Sequence, residues 1–120
     1  MRVSSAKQKG RRLQQYVCDV LLKIGIGLEK DDIRSTSMGA GGEDVLLSPA
    51  ARKQFPFSIE CKNVEKLSIW KAIEQARANC KPEHIPVVVF NRNRETAQIS
   101  LPLEKFLEIY EVYLNETKDS

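Results

Sequence analysis

Little in this chain suits a disulfide framework, a soft-metal site or a membrane span. Its three cysteines, Cys18, Cys61 and Cys80, are widely spaced and form no C-x-x-C pair. That pattern argues against disulfides and zinc ribbons and for reduced, mostly buried thiols in a cytosolic protein. A single histidine, His84, leaves too few soft ligands for an ordinary zinc site, and it is assigned no role. The longest purely apolar runs, such as Val87–Phe90, are far too short to cross a bilayer. No charged-then-apolar leader with a small-residue cleavage site is visible. A secreted scaffold, a membrane protein and a disordered tail are therefore set aside, and a cytoplasmic location is expected.

What is present describes one ordinary domain. The 120 residues are 42% hydrophobic and 29% charged. A chain of that size buries roughly two-thirds of its unfolded surface without a staple. Charge is uneven: residues 1–12 hold five basic side chains and no acid, so in a chain of net charge +3 the remainder carries −2. A basic arm, flexible or not, on a near-neutral body suits phosphate contact at one end of the molecule. Lys7, Lys9, Arg11 and Arg12 are the candidates, and a merely solvated terminus is the alternative.

Periodicity supplies the elements. Leu13, Tyr16, Val17, Val20, Leu21 and Ile24 recur at helical spacing until Gly25 and Gly27 stop them. Strands are expected at 33–37, 43–47, 57–62, 87–90 and 98–101, with a loop over 48–56. Ser68 can cap a helix along Ile69, Ile73, Ala76 and Cys80 that Pro82 closes. Pro102 suits the first position of a last helix that turns Leu103, Phe106, Leu107, Tyr110 and Leu114 inward. The order α-β-β-β-α-β-β-α predicts an α/β fold with a mixed sheet flanked by helices, in a single domain ending in a polar tail at 115–120.

Alternation within 57–62 places Phe57, Ile59 and Cys61 on the core face, and Glu60 and Lys62 side by side on the other. A hairpin between 43–47 and 57–62 would lay Asp44 across from them. Two carboxylates with open water positions suit a hard divalent ion such as magnesium, and Lys62 could orient a water or stabilise charge on a phosphate. The plainer alternative is a solvated strand face with a cross-strand ion pair. A second E-x-K, Glu116-x-Lys118, lies outside any strand pattern and is taken as chance.

Read together, Gly10-Arg11-Arg12-Leu13-Gln14, Ser35-Thr36-Ser37, Gly42-Glu43-Asp44-Val45, Ile59-Glu60-Cys61-Lys62 and Gln75 resemble the PD-(D/E)XK nuclease superfamily. The likeness is closest to small archaeal-type Holliday-junction resolvases and their phage relatives, and covers about residues 7–101. It implies a restriction-endonuclease-like core and a metal-dependent endodeoxyribonuclease that leaves 5′-phosphate and 3′-hydroxyl ends. Asp44, Glu60 and the backbone carbonyl of Cys61 would bind Mg2+, for which Mn2+ should substitute, and Lys62 would position the water. Ser35 or Ser37 would contact phosphate, and Gln75 would stand near the site or simply on an exposed helix face. Such resolvases carry a glutamate where this chain has Gln14, so the number of metal ions stays open. Arg52 and Lys53 could reach an adjacent duplex arm, or belong to an ordinary soluble loop.

The resemblance also implies DNA, four-way junctions or other branched forms, as the partner, and a two-fold homodimer. Trp70, Phe55 and the Tyr110/Tyr113 face are interface or core candidates. A phage-encoded chain would act in the host cytoplasm. Three alternatives remain: a nuclease of flaps, nicked or duplex DNA, a catalytically weak junction-binding module, and a small protein-interaction domain.

Overall fold

Helix-forming residues on both sides of Gly10 carry the first helix much further than its apolar stripe alone suggests. In the computed structural model, which describes residues 3–36 and 42–118, α1 runs over Val3–Ile24. Lys7, Lys9, Arg11 and Arg12 therefore stand on a helix and not on a loose arm, because Ala, Lys, Gln and Arg propagate helix well. A 3₁₀ turn at Lys30–Asp32 leads into β1 (Ile33–Ser35), and β2 (Val45–Leu47) pairs with it antiparallel. There follow α2 (Pro49–Gln54), β3 (Phe57–Asn63), α3 (Ile69–Ala78), β4 (Ile85–Asn91), β5 (Gln98–Ser100) and α4 (Leu103–Lys118).

The strands form two sheets. One is the β1–β2 pair; the other is a mixed three-stranded sheet in the order β3-β4-β5, with β3 parallel and β5 antiparallel to β4. The expected hairpin between 43–47 and 57–62 is not a ladder, since β2 spends its pairing on β1. The two sheets meet through single bonds around Asp44, described below.

α1 covers one face. Its Leu13, Val17 and Cys18 pack with Ile33, Val45, Leu47, Ile59, Cys61 and Val87, all under 10% exposed. α3 covers the other face of β3–β4 through Ala72, Ala76 and Val88. Phe57, Ile59 and Cys61 share the α1 face as alternation requires, but Ser58 and Glu60 on the opposite face are buried too. β3 is thus covered on both sides, as parallel strands usually are. Phe55 belongs to the core and is no surface residue. Among the described residues no helix is long and apolar enough to cross a membrane.

Two expectations fail for physical reasons. Residues 49–54 are helix and not loop: Ser48 caps them, accepting from the Ala51 amide at 3.1 Å, and Pro49 supplies the fixed φ of a first turn. The last helix buries none of its residues. Leu103, Phe106, Leu107, Tyr110 and Leu114 are all exposed, because α4 runs away from the body and does not fold back over the sheet.

Both thiols at the α1–β3 contact are deeply placed. Burial, then the charge of Asp19, pushes the Cys18 thiol up to about 11, and burial with Asp44 beside it pushes Cys61 further in the same direction.

Ser48 also donates to Asp32 Oδ1 at 2.6 Å, and this bond, then the Glu29 amide, holds the Asp32 carboxyl below its ordinary value. Ser48→Ala should cost about 1 kcal/mol through the lost α2 cap, read by urea unfolding at neutral pH. A depressed carboxyl contributes stability above its unfolded value and loses it as pH falls through its folded one. The gap between wild type and Ser48→Ala should therefore narrow in acid. A gap that stays constant there would show that Asp32 gains nothing from Ser48.

Candidate active site

Gly42-Glu43-Asp44 is anchored at every residue. Gly42 adopts φ +96°, a left-handed conformation that glycine takes without strain. Its carbonyl accepts from Asn79 Nδ2 at 3.1 Å, at the end of α3. Glu43 receives both oxygens' worth of hydrogen bonds from Arg52 Nη2, at 2.9 and 2.7 Å. Arg52 Nη1 in turn donates to the Phe57 carbonyl at 3.1 Å and stands 3.4 Å from His84 Nδ1.

Asp44 is the joint between the sheets. Its amide donates to the Ile59 carbonyl at 3.0 Å, and its Oδ2 accepts from the Cys61 amide at 2.8 Å. Its carbonyl accepts from the Thr36 amide at 3.0 Å and from Thr36 Oγ1 at 3.3 Å. In a strand, a residue's N–H and C=O point to the same edge. Since the Cys61 amide reaches Asp44, the Cys61 carbonyl faces the edge that carries the Asp44 carboxylate.

Glu60 completes the group. It is 5% exposed, and burial first, then the neighbouring Asp44 charge, raises its pKa above the usual carboxylate range. Lys62 opposes that shift, with Nζ 3.6 Å from Glu60 Oε1. The structure thus brings together Asp44, Glu60, Lys62 and the Cys61 carbonyl from two separate sheets. Among the described residues no group of three His, Cys, Asp or Glu side chains is placed to hold a metal. The donors are two carboxylates and a carbonyl, a hard-oxygen set with one ammonium beside it.

An open cleft of about 430 Å³ is lined by Arg11, Arg12, Gln15, Ser35 and Thr36, and none of Asp44, Glu60, Cys61 and Lys62 is among its lining residues. The connection between the two is through the backbone, where Thr36 bonds the Asp44 carbonyl. Of the other expected residues, Lys9 reaches the side-chain oxygen of Asn93 at 2.5 Å, and Lys7 is exposed. Ser37 lies outside the described residues. Gln14 is buried at 1% on the inward face of α1. Along α1 it lies between Lys9, whose carbonyl accepts from Asn63 Nδ2 at 3.2 Å, and the buried Cys18. Gln75 is exposed on α3.

Thr36, Gln15 and the Glu43–Arg52 clamp were not singled out as contributors. The Ser48-Pro49 helix-start signal could have revealed the clamp, because it puts Arg52 in a helical turn facing back toward Glu43.

Arg52 and Lys53 have different surroundings. The Arg52 and Glu43 side chains are 20% and 11% exposed, whereas Lys53 is open to solvent. Arg52→Ala leaves Glu43 half-buried without its donors and should cost about 2 kcal/mol in urea unfolding. Lys53→Ala should stay within about 0.5 kcal/mol of wild type. Equal effects would contradict the clamp. Compared with known proteins, the chain matches no family model, no curated protein and no solved structure.

Proposed function

We propose that this chain is a metal-dependent DNA endonuclease of the PD-(D/E)XK type, built on a restriction-endonuclease-like core and acting on branched DNA, foremost four-way junctions. The observation that carries the reading is the convergence of Asp44, Glu60, Lys62 and the Cys61 carbonyl.

The donor set fits a hard divalent cation. Asp44 and Glu60 are like charges held together, with Lys62 as their near cation, and burial makes the negative charge on Glu60 costly. Bound at Asp44, Glu60 and the Cys61 carbonyl, magnesium or manganese would supply Lewis-acid polarisation of a phosphodiester.

The chain's own groups do the rest. Lys62 orients the attacking water and offsets charge that grows on the phosphate. Arg11 and Arg12 grip the DNA backbone across the cleft, and the hydroxyls of Ser35 and Thr36 donate to phosphate oxygens. These contacts position the strand without reading bases, as expected of an enzyme selective for DNA shape. Lys7, Lys9 and the exposed Lys53 extend the positive surface.

Gln14 favours one second reading. A neutral amide, buried on α1, adds no charge to a metal shell, and this suits a junction-binding module with a weak site.

Labelled four-way junctions, flaps and linear duplex, incubated with and without Mg2+, separate these readings. Junction cleavage is expected, lost without metal and in Asp44→Asn, and reduced on the order of 10²-fold in Lys62→Ala. Arg12→Ala should weaken binding to all DNA forms and lower the salt slope by about one. Cutting of flaps or duplex in preference to junctions would keep the nuclease and remove the junction preference. Tight binding without cutting in either metal would overturn the enzyme and leave the binding module.

A further inference from the structure

Helix α4 has no place on its own body. Its sixteen residues include Leu103, Phe106, Leu107, Ile109, Tyr110, Tyr113 and Leu114, spaced to form one broad apolar face. Every one of them is at least 44% exposed. Phe106, Tyr110 and Tyr113 stack along it, with centroids 5.8 and 5.5 Å apart. An isolated helix of this length is marginal in water, so the face needs a cover.

The body carries a matching gap. Because α4 departs, the α3 face of the sheet is open beside β5. There Trp70, Ile73, Ala76, Arg77, Pro86 and Val88 line a mainly apolar groove of about 250 Å³. Trp70, on its rim, is 68% exposed. The groove begins at Leu101-Pro102-Leu103, where α4 leaves, and the molecule measures 52 Å along its long axis against 30 Å across.

We propose that the occupant is a second copy of this chain: two copies exchange their α4 helices, each seated in the other's Trp70–Ile73–Val88 groove. Three observations select this partner. One chain carries both the exposed apolar helix and the vacant apolar groove, and the helix points away from its own groove. Charge is compatible as well: the one charged residue in the groove's lining is Arg77, and α4 holds Glu104, Glu108, Glu111 and Glu116 against two lysines. The area is also sufficient. Covering seven half-exposed large side chains in each of two reciprocal seats buries on the order of 1,000 Å² or more, the size of a stable interface. Reciprocal exchange closes on itself, so assembly stops at two. No residue of the candidate active site takes part, so the inference stands or falls apart from the nuclease reading.

Analytical ultracentrifugation of the full chain under reducing conditions tests it. A dimer is expected at ~10 µM. Tyr110→Asp, on the helix, and Trp70→Glu, in the groove, should each weaken dimerisation on the order of 100-fold or more, since each change strikes two equivalent seats. Both sites are exposed in the single chain, so circular dichroism should show both variants folded. Mixing the two variants should recover a heterodimer with one intact seat. A monomeric wild type, with α4 folded back or bare, would overturn the proposal. So would a Trp70→Glu variant that stays dimeric, which would mean that helices pair with helices and leave the groove unused.

Discussion

One carboxylate ties the molecule together. The β1–β2 pair and the β3-β4-β5 sheet share no ladder, and Asp44 spans the gap with its amide to Ile59, its Oδ2 from Cys61 and its carbonyl from Thr36. A half-buried carboxylate bonded to a backbone amide is strongly held. Its position fixes where the β1–β2 pair sits on β3, and with it where Ser35 and Thr36 stand relative to Glu60 and Lys62. Cleft and carboxylates keep their spacing because Thr36, which lines the one, is bonded to the backbone of Asp44, which supplies the other.

The surrounding charges follow from that joint. Glu43, next in sequence, would crowd the site with a third carboxylate, but Arg52 holds it from α2 with two hydrogen bonds. Glu60 cannot be drawn off in the same way, because it is buried on β3 with Lys62 as its near cation. The result is a pair of carboxylates at close quarters, which costs electrostatic energy in the folded chain. Such a cost is retained more often at functional sites than in plain structural ion pairs.

Much of the fold was legible because its signals are local. Alternation over Phe57–Lys62 gave β3 and its inward face, and Asp44, Glu60 and Lys62 could be grouped from spacing and resemblance. The manner of grouping was not legible, since β2 chooses β1 through long-range packing that no short window records. The helical start of the chain was missed because its basic residues carry no apolar stripe, although their propensity favours helix. At α4 the periodic pattern was right and the inference from it wrong. A helical stripe states that a face wants cover, and it does not state which body supplies the cover. Arg52 shows the same limit: an arginine near a glutamate in sequence is equally readable as a DNA contact until α2 turns it inward.

The central claim is that Asp44 and Glu60 form one divalent-cation site. Titrating DNA-free protein with Mn2+ and following free manganese by electron paramagnetic resonance tests it most directly. The expected result is saturable binding by the wild type that Asp44→Asn and Glu60→Gln each abolish while the fold, checked by circular dichroism, is kept. Binding left unchanged by both substitutions, or none at millimolar manganese, would contradict it.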